Sequence, residues 1–270
     1  MADVPLIIQP DAEELEAAEV LVEGSVGGRP YRFLLDTGAA NTRIALDAYT
    51  VGFASLERSQ TSGVFRQGSD DLISLPVVQV GPMTRRNVTV ARAPAEAEHV
   101  ANLIGMDVLK YFRLDFDFSE GRLTVDPSDD PRGGLTWHAL TMDNKSHPYV
   151  EVQFGHKQAS AVWDSGSSLT VVDATFINQH RVFFRKAGES TGTDSTGQEG
   201  AASLYIMSSA VIGDLTFPPH RVAAVDLAGV NATLEMWMDL ILGFSTLRHA
   251  DWLLDFPNRR WAFSRMRGLQ

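Results

Sequence analysis

The chain has 270 residues, 44% of them hydrophobic and 21% charged, with a formal net charge of −11. This length is sufficient for two domains that each bury a core. The acidic balance argues against a nucleic-acid partner, because phosphate binding depends on clustered Lys and Arg. No run of about 18 apolar residues occurs, so no membrane span is predicted. The sequence contains no cysteine, which excludes disulfides and cysteine-ligated zinc.

The first twenty residues contain neither a basic n-region nor an apolar h-region, so no signal peptide is predicted. The compartment stays open, because a cytoplasmic protein and a mature periplasmic or secreted chain both fit. Helical spacing is recognisable over Asp11–Ala18. Elsewhere Val, Leu, Ile, Phe and Thr alternate with turn residues at short intervals. The fold is therefore predicted to be mainly β.

A short segment of the first half of the chain recurs in the second half. Leu34–Ile44 (LLDTGAANTRI) aligns with Val162–Val172 (VWDSGSSLTVV) at an offset of 128 residues, and Asp, Gly and Thr coincide at three positions. An Asp-Thr-Gly triplet alone would be a weak signal, since Asp and Gly are common turn residues. Two copies at corresponding places in a repeat form a specific one.

The residues before each triplet predict a β-hairpin. In both copies an alternating strand leads to a glycine turn, at Gly27 or Gly155, and then to a short apolar strand. That second strand ends on Asp36 in the first copy and on Asp164 in the second. Each half is therefore expected to present one carboxylate at the tip of a strand.

A third matched piece follows in each half. Leu103–Gly105 and Ile241–Gly243 both have two apolar residues and a glycine, followed by a predicted short helix and a strand. The second half is ten residues longer between its Asp and this Gly, and we expect the addition in a loop or a longer hairpin. Between the halves lies Asp126–Gly134, whose prolines, glycines and charges favour a linker. We predict two domains, residues 1–128 and 129–270.

These motifs resemble the aspartic-protease superfamily, whose mark is an apolar strand ending in Asp-Thr/Ser-Gly with an apolar-apolar-Gly segment downstream. The chain looks like a covalently joined pair of retropepsin-like halves, with some pepsin-like features in the second triplet. The resemblance implies a bilobal acid-protease fold, in which two related β-barrel-like lobes meet at the active site. It also implies an aspartic endopeptidase that binds extended peptides and uses neither a cofactor nor a metal.

In this family two carboxyl groups share a proton and activate a water molecule, and the resemblance assigns these roles to Asp36 and Asp164. Gly38 and Gly166 would bring backbone N–H groups close to the carboxylates. Thr37 and Ser165 resemble the hydroxyl residues that bond each active-site loop to the opposite one.

A further hydroxyl often contacts the outer oxygen of the catalytic Asp in this family. Ser167 would serve Asp164 in this way, whereas Ala39 has no hydroxyl to serve Asp36. The difference predicts that the ionised carboxylate of Asp36 accepts one fewer hydrogen bond than that of Asp164. We therefore expect a less depressed pKa for the pair and a mildly acidic optimum.

Family members close a glycine-bearing hairpin flap over the substrate. Thr61–Gly68 and Gly188–Gly200 follow the two triplets at similar distances and suit this role. Gly63, Phe65 and Gly197 are the flap candidates. The first stretch has no tyrosine of the kind that pepsin-like flaps carry.

Other readings of the sequence stay open at this point. A correct fold could be a catalytically silent peptide-binding module, and a two-carboxylate glycosidase is a remote third reading. His-Glu-x-x-His and Gly-x-Ser-x-Gly motifs are absent. A monomer is expected, because one chain supplies both aspartates. The remaining acidic pairs are expected to be solvated surface charges: Asp70 and Asp71, Asp115 and Asp117, and Asp129 and Asp130.

Overall fold

The computed structural model describes residues 2–62, 67–94, 101–126, 134–193 and 199–265. We call residues 2–126 the first half and residues 134–265 the second half. Within the described ranges the chain forms 24 strands and four short α-helices, which confirms the prediction of a mainly β fold. The strands belong to three sheets. The predicted domain boundary at residues 128 and 129 lies outside the described residues.

The first half contains eleven described strands and one helix. They are β1 (Ala2–Pro5), β2 (Ile7–Pro10), β3 (Ala18–Val26), β4 (Arg29–Leu35), β5 (Arg43–Ile44), β6 (Glu57–Ser62), β7 (Gln67–Val80), β8 (Met83–Arg92), β9 (Leu103–Ile104), α1 (Met106–Leu109), β10 (Arg113–Asp117) and β11 (Arg122–Val125). A 3-10 turn at Thr50–Gly52 follows β5.

The second half contains thirteen described strands and three helices. They are β12 (His138–Ala139), β13 (Thr141–Met142), β14 (Pro148–Phe154), β15 (Lys157–Trp163), β16 (Val171–Asp173), α2 (Ala174–Gln179), β17 (Phe184–Thr193), β18 (Glu199–Met207), β19 (Ala210–Ile212), β20 (Leu215–Phe217), β21 (His220–Val225), α3 (Ala228–Asn231), β22 (Leu240–Leu242), α4 (Phe244–Leu247), β23 (Asp251–Asp255) and β24 (Arg260–Arg265). A 3-10 turn at Arg181–Phe183 precedes β17.

The two hairpins that lead to the triplets form as predicted. Strands β3 and β4 pair in antiparallel fashion around Gly27 and Gly28, whose φ angles are 58° and 81°. Positive φ at both central residues gives the tight turn that matches the twist of a hairpin, and glycine adopts it without a steric penalty. Strands β14 and β15 pair in the same way around Gly155 and His156, with φ of 59° at the glycine.

Each half places the strand before its triplet in the same three-strand pattern. In the first half β4 is parallel to β9, and β9 is antiparallel to β5. In the second half β15 is parallel to β22, and β22 is antiparallel to β16. The outer neighbours also agree, since β5 is parallel to β8 and β16 is parallel to β21. The loops after β4 and β15 therefore leave their sheets in equivalent surroundings.

The third sheet combines strands of both halves in the order β1-β11-β10-β23-β24-β12. Its central pairing joins β10 to β23, the strands that follow the short helices α1 and α4. Buried aromatic side chains pack beside this sheet, with ring centroids 4.9 Å apart for Phe116 and Trp163 and 5.7 Å apart for Trp163 and Trp252. One hydrophobic core thus contains residues from both halves.

One local expectation was wrong. Asp11–Ala18 does not form a helix: the Asp11 carboxylate accepts hydrogen bonds from the N–H groups of residues 13 and 14, and Asp11 N–H donates to Ala17. So short a segment forms a turn more readily than a helix, because helix nucleation is unfavourable. The ten extra residues of the second half lie in two connections between strands rather than in one. Some precede β21, and the rest lie between β21 and β22 in the connection that contains α3.

Candidate active site

Asp36 and Asp164 meet at the tips of β4 and β15. Each backbone N–H continues the parallel pairing of its strand, from Asp36 to the Ile104 carbonyl and from Asp164 to the Leu242 carbonyl, both at 3.0 Å. The two carboxyl groups hydrogen-bond to each other. Asp36 is buried and Asp164 is partly buried. The structure therefore joins the two aspartates that the repeat singled out.

Gly38 and Gly166 lie against the carboxyl group of the opposite half. The N–H of Gly38 donates to Asp36 Oδ1 at 2.9 Å and to Asp164 Oδ1 at 3.2 Å, and the N–H of Gly166 donates to Asp164 Oδ1 at 2.8 Å. A Cβ at Gly38 would lie 2.5 Å from the Asp164 Cγ, and one at Gly166 would lie 2.3 Å from the Asp36 Cγ. No other residue leaves room for the facing carboxyl, which explains the glycine in both triplets.

Thr37 and Ser165 connect the two loops through their hydroxyl groups. Thr37 Oγ1 donates to the Trp163 carbonyl at 2.8 Å and accepts from the Ser165 N–H at 3.0 Å. Ser165 Oγ donates to the Leu35 carbonyl at 2.6 Å and accepts from the Thr37 N–H at 3.3 Å. Both side chains are fully buried. The reciprocal bonds fix the position of one carboxyl relative to the other.

The downstream glycines, Gly105 and Gly243, allow a second backbone segment to pass beneath each triplet. A Cβ at Gly105 would come within 2.6 Å of the Asn41 backbone, and one at Gly243 within 2.6 Å of the Ser167 carbonyl. The next residue in each half donates to the triplet loop, with Met106 N–H to the Ala39 carbonyl and Phe244 N–H to the Ser167 carbonyl, both at 2.8 Å. The apolar-apolar-Gly motif is therefore a support of the site.

Thr42 and Thr170 belong to the same support, although the sequence assigned them no role. The N–H of Gly105 donates to Thr42 Oγ1 at 3.1 Å, and the N–H of Gly243 donates to Thr170 Oγ1 at 3.0 Å. Thr42 Oγ1 in turn donates to the Asp107 carboxylate at 2.7 Å. In the second half, the hydroxyl oxygen of Thr170 instead lies 2.6 Å from that of Thr246. Their coincidence at the 128-residue offset was the signal that could have identified them.

The contact expected of Ser167 was wrong. Its hydroxyl donates to the Leu169 carbonyl at 2.8 Å and so turns toward its own loop rather than to Asp164. The backbone N–H of Ala39 also contributes a hydrogen bond to Asp36. The hydroxyl difference between Ser167 and Ala39 therefore does not set the relative charge of the two carboxyl groups here.

Burial is the main influence on the charge of the pair. It raises the pKa of Asp36 well above the ordinary aspartate value, and the neighbouring Asp164 carboxylate raises it further. Burial also raises the pKa of Asp164, opposed by the N–H groups of Gly166 and Gly38, by the hydrogen bond from Asp36 and by the charge of His147. The two groups therefore titrate as one coupled pair in which the pKa of both members is raised.

Two hairpins occupy the positions expected of flaps. Strands β6 and β7 pair from Glu57 with Leu72 to Ser62 with Gln67, and β17 and β18 pair from Phe184 with Met207 to Thr193 with Glu199. The flap candidates Gly63, Phe65 and Gly197 lie outside the described residues.

Two of the other acidic residues, Asp70 and Asp117, are less solvated than expected, whereas Asp129 and Asp130 lie outside the described residues. Asp70 is 1% exposed and forms an ion pair with Arg43 at 2.8 Å, and Asp117 is buried and bonds to Arg122 at 3.0 Å. The described part of the chain contains no group of three or more His, Asp or Glu placed to hold a metal. No helix in the described ranges is long and apolar enough to cross a membrane.

Comparison with known proteins connects this geometry to a family. Residues 22–111 match the model of the gag-polyprotein putative aspartyl protease family. The matched segment runs from β3 through α1, so it contains the Asp36 triplet and the Gly105 support. No curated protein matches the chain. The match confirms the resemblance to the aspartic-protease superfamily that the sequence motifs predicted.

Proposed function

We propose that the chain is an aspartic endopeptidase whose catalytic dyad is Asp36 and Asp164. The observation that carries this proposal is that two buried carboxyl groups at equivalent strand tips lie side by side, because both accept the N–H of Gly38, at 2.9 Å and 3.2 Å. Residues 1–128 and 129–270 would form the two lobes of an internally duplicated enzyme. The equivalent strand pairings of the two halves support this division.

The reaction begins with one carboxyl ionised and the other protonated. The ionised member takes a proton from a water molecule, and the resulting hydroxide equivalent attacks the carbonyl carbon of the scissile peptide bond. The protonated member donates its proton to the carbonyl oxygen, which gives a neutral tetrahedral intermediate. The intermediate then collapses: one of its hydroxyl groups returns a proton to the ionised carboxyl, the C–N bond breaks, the amine leaves with the proton of the other carboxyl, and a carboxylic acid forms.

The loops around Asp36 and Asp164 contribute to catalysis by holding the two carboxyl groups in place. The Thr37–Ser165 cross-bonds and the glycine N–H groups hold the two oxygens in fixed positions, so little reorganisation is needed during the reaction. The β6–β7 and β17–β18 hairpins would cover an extended peptide and align it by main-chain hydrogen bonds. A single chain provides both aspartates, and we propose a monomer on this ground.

The pH dependence follows from the raised pKa values. The enzyme is active while the pair holds one proton, and activity falls when the second ionisation removes it. Because burial raises the pKa of both carboxyls, this loss occurs at higher pH than it would for solvated aspartates. A mildly acidic optimum is therefore expected.

Cleavage of denatured casein across pH 3–8 tests the proposal. Asp164→Asn is expected to reduce kcat/KM by about 10²–10⁴-fold, because it removes one of the two proton-transfer groups. Glu151→Gln, which changes an exposed carboxyl on β14, is the matched control and should retain wild-type activity. Undiminished cleavage by Asp164→Asn would overturn the proposed dyad.

Peptide cleavage and peptide affinity, measured for wild type and Asp36→Asn, separate the proposal from its alternative. In an aspartic endopeptidase this substitution should abolish turnover. A silent peptide-binding module of the same fold would bind extended peptides without cleaving them at any pH, and Asp36→Asn would leave that affinity largely intact. The glycosidase reading fits the geometry poorly, since its two carboxyls stand about 5 Å or more apart with a sugar between them, whereas these two are hydrogen-bonded.

A further inference from the structure

A chain of buried hydrogen bonds leads away from the backbone beneath the second catalytic loop. The N–H of Gly243 donates to Thr170 Oγ1 at 3.0 Å, and Thr170 Oγ1 lies 2.6 Å from Thr246 Oγ1. Thr246 Oγ1 lies 2.7 Å from His220 Nε2, and His220 Nδ1 lies 2.8 Å from the Pro218 carbonyl. The two threonines are fully buried and the histidine is 3% exposed. Each polar atom therefore depends on the next one in the chain for its hydrogen bond.

The available protons give this chain a direction. The Pro218 carbonyl can only accept, so His220 Nδ1 carries a proton. In the neutral ring Nε2 is then an acceptor, and the Thr246 hydroxyl donates to it. Thr246 has a single hydroxyl proton, so the Thr170 hydroxyl donates to Thr246. The chain thus runs from the Gly243 N–H to a neutral imidazole.

An imidazolium at His220 would reverse the chain. Its Nε2 proton would go to Thr246, whose hydroxyl would then donate to Thr170. The Thr170 proton would have to turn to the Gly243 carbonyl, which is 3.4 Å away. This distance exceeds the 2.5–3.0 Å usual for a hydroxyl donor. Burial acts in the same direction, because it lowers the pKa of His220.

The backbone at the other end of the chain holds the catalytic loop directly. The Leu242 carbonyl accepts the N–H of Asp164 at 3.0 Å, and the N–H of Phe244 donates to the Ser167 carbonyl at 2.8 Å. Gly243 lies between these two contacts, and its N–H begins the chain. Any shift of the chain would therefore move the backbone that fixes the catalytic carboxyl.

The first half completes the same support without a histidine. The N–H of Gly105 donates to Thr42 Oγ1 at 3.1 Å, and one Asp107 oxygen accepts both the hydroxyl and the N–H of Thr42, at 2.7 Å and 2.8 Å. Two residues after the supporting glycine, the second half has Ser245, whose Oγ accepts the corresponding threonine N–H at 3.0 Å. The chain to His220 supplies the acceptor that the hydroxyl still needs.

Charged and titratable side chains from two neighbouring segments and from β21 itself surround His220: Glu14, Glu16, Arg221, Arg248 and His249. The charge of Glu16, in the N-terminal turn, raises the pKa of His220, and that of Arg248, after α4, lowers it. The His249 ring centroid lies 5.5 Å from that of His220. Because His249 titrates in the same pH range, an experiment on His220 requires a His249 control.

We propose that neutral His220 is a positioning residue for the second catalytic loop. It is the terminal acceptor of the hydroxyl chain, and it acts on Asp164 through Thr246, Thr170 and Gly243. With the chain complete, the carboxyl stays in place for proton transfer to and from water. This inference rests on the proposed function.

Amide hydrogen exchange of Gly243 is the first test, and it needs no enzymatic activity. Thr246→Val replaces the middle hydroxyl by a methyl group and should speed the exchange of the Gly243 N–H about five- to tenfold, as should His220→Phe. Thr246→Ser keeps the hydroxyl and should exchange as wild type does. The Gly105 N–H of the first half is the internal control. Equal acceleration at both glycines, or an unchanged rate at Gly243, would overturn the inference.

The pH dependence of stability is the second test. Since the native ring is held neutral, wild type should lose free energy of unfolding relative to His220→Gln as pH falls below about 6.5 and through the lowered pKa. Urea denaturation measures this difference. The same difference should persist when both proteins also carry His249→Gln, which assigns it to His220. A difference that does not change with pH would contradict a neutral buried imidazole.

Steady-state cleavage of denatured casein is the third test. His220→Phe removes the acceptor and should lower kcat about tenfold with KM nearly unchanged, because it displaces a catalytic loop rather than a peptide contact. His220→Gln offers an oxygen to Thr246 and should recover most of kcat. Wild-type kcat in His220→Phe, or no recovery in His220→Gln, would overturn the inference. If wild type cleaves nothing, the proposed function fails, while hydrogen exchange still decides whether His220 holds the loop.

Discussion

Arg43 in the first half and Val171 in the second occupy the same place in their sheets but have opposite chemistry. Arg43 pairs with Ala91 on a parallel neighbour, as Val171 pairs with Ala223. In the first half the next strand provides Asp70, which is 1% exposed and lies 2.8 Å from Arg43.

The second half fills the corresponding space with apolar side chains. Ala223 pairs with Leu204, as Ala91 pairs with Leu72, so Ala202 stands where Asp70 stands in the first half. Ala202, Leu204 and Ala223 form a small buried cluster that Val171 contacts. One backbone arrangement is thus stabilised by an ion pair in one half and by apolar packing in the other.

The groups that contact the dyad differ far less between the halves. Both have a glycine against the facing carboxyl, a cross-bonded hydroxyl, and a threonine that accepts the N–H of the supporting glycine. The comparison teaches that the site constrains backbone and hydroxyl positions closely, whereas the sheet behind it tolerates different side chains. Three sets of substitutions can break or sharpen this contrast.

Arg43→Val is expected to have the largest effect. It leaves the Asp70 carboxylate buried without its cation, which should lower the free energy of unfolding by about 3–5 kcal/mol. Urea denaturation measures this change. The double variant Arg43→Val/Asp70→Ala reproduces the apolar pair of the second half and should recover most of the loss. A double variant no more stable than Arg43→Val would show that the two halves are not interchangeable at this place.

The same pair predicts a pH dependence of stability. Burial raises the pKa of Asp70 above its unfolded value despite Arg43. The native state therefore binds this proton more strongly, so the contribution of Asp70 is most favourable at low pH and is lost as pH rises through the raised pKa. The difference in unfolding free energy between the double variant and wild type should grow with pH in that window. A constant difference would contradict a raised pKa.

The glycines against the dyad should be equally sensitive in both halves. Gly38→Ala and Gly166→Ala each place a Cβ within 2.5 Å of the facing carboxyl carbon. The displacement of about 1 Å needed to relieve that contact should lower kcat/KM about 10²-fold. Gly52→Ala and Gly229→Ala are matched controls, because no atom lies within 4 Å of a Cβ at either position. A strong loss in only one half would break the equivalence of the two loops.

The cross-bonded hydroxyls should have the smallest effect. Thr37→Val removes a donor to the Trp163 carbonyl and an acceptor for the Ser165 N–H, and Ser165→Ala removes the corresponding contacts of the other loop. Each substitution should lower the free energy of unfolding by about 1–3 kcal/mol, because buried polar groups lose their hydrogen-bond partners. Thermal unfolding measures both. A change near zero in either variant would mean that the loops are held by other contacts.

Much of the site was predictable from sequence because it depends on backbone geometry. The repeat located Asp36 and Asp164, and the glycine and hydroxyl positions followed from the family resemblance. The orientation of Ser167 was not predictable, because a hydroxyl rotates toward whichever acceptor is nearest, here Leu169.

The sheet behind the site was less predictable for a related reason. Two adjacent acidic residues ordinarily indicate a solvated turn or surface, and nothing near Asp70 in sequence indicates the arginine that pairs with it 27 residues away. The mainly β class, the two hairpins and the helix after each supporting glycine followed from local patterns. The division of the ten extra residues between two connections did not, since turn residues occur in both.

A double-mutant cycle on the dyad tests the central claim most directly. kcat/KM for an unfolded protein substrate is measured for wild type, Asp36→Asn, Asp164→Asn and the double variant. If the two carboxyls act as one unit, each single substitution should cost nearly as much as both together, because either one disables the shared proton. Losses that multiply, or substantial activity in either single variant, would contradict a dyad formed by the two halves.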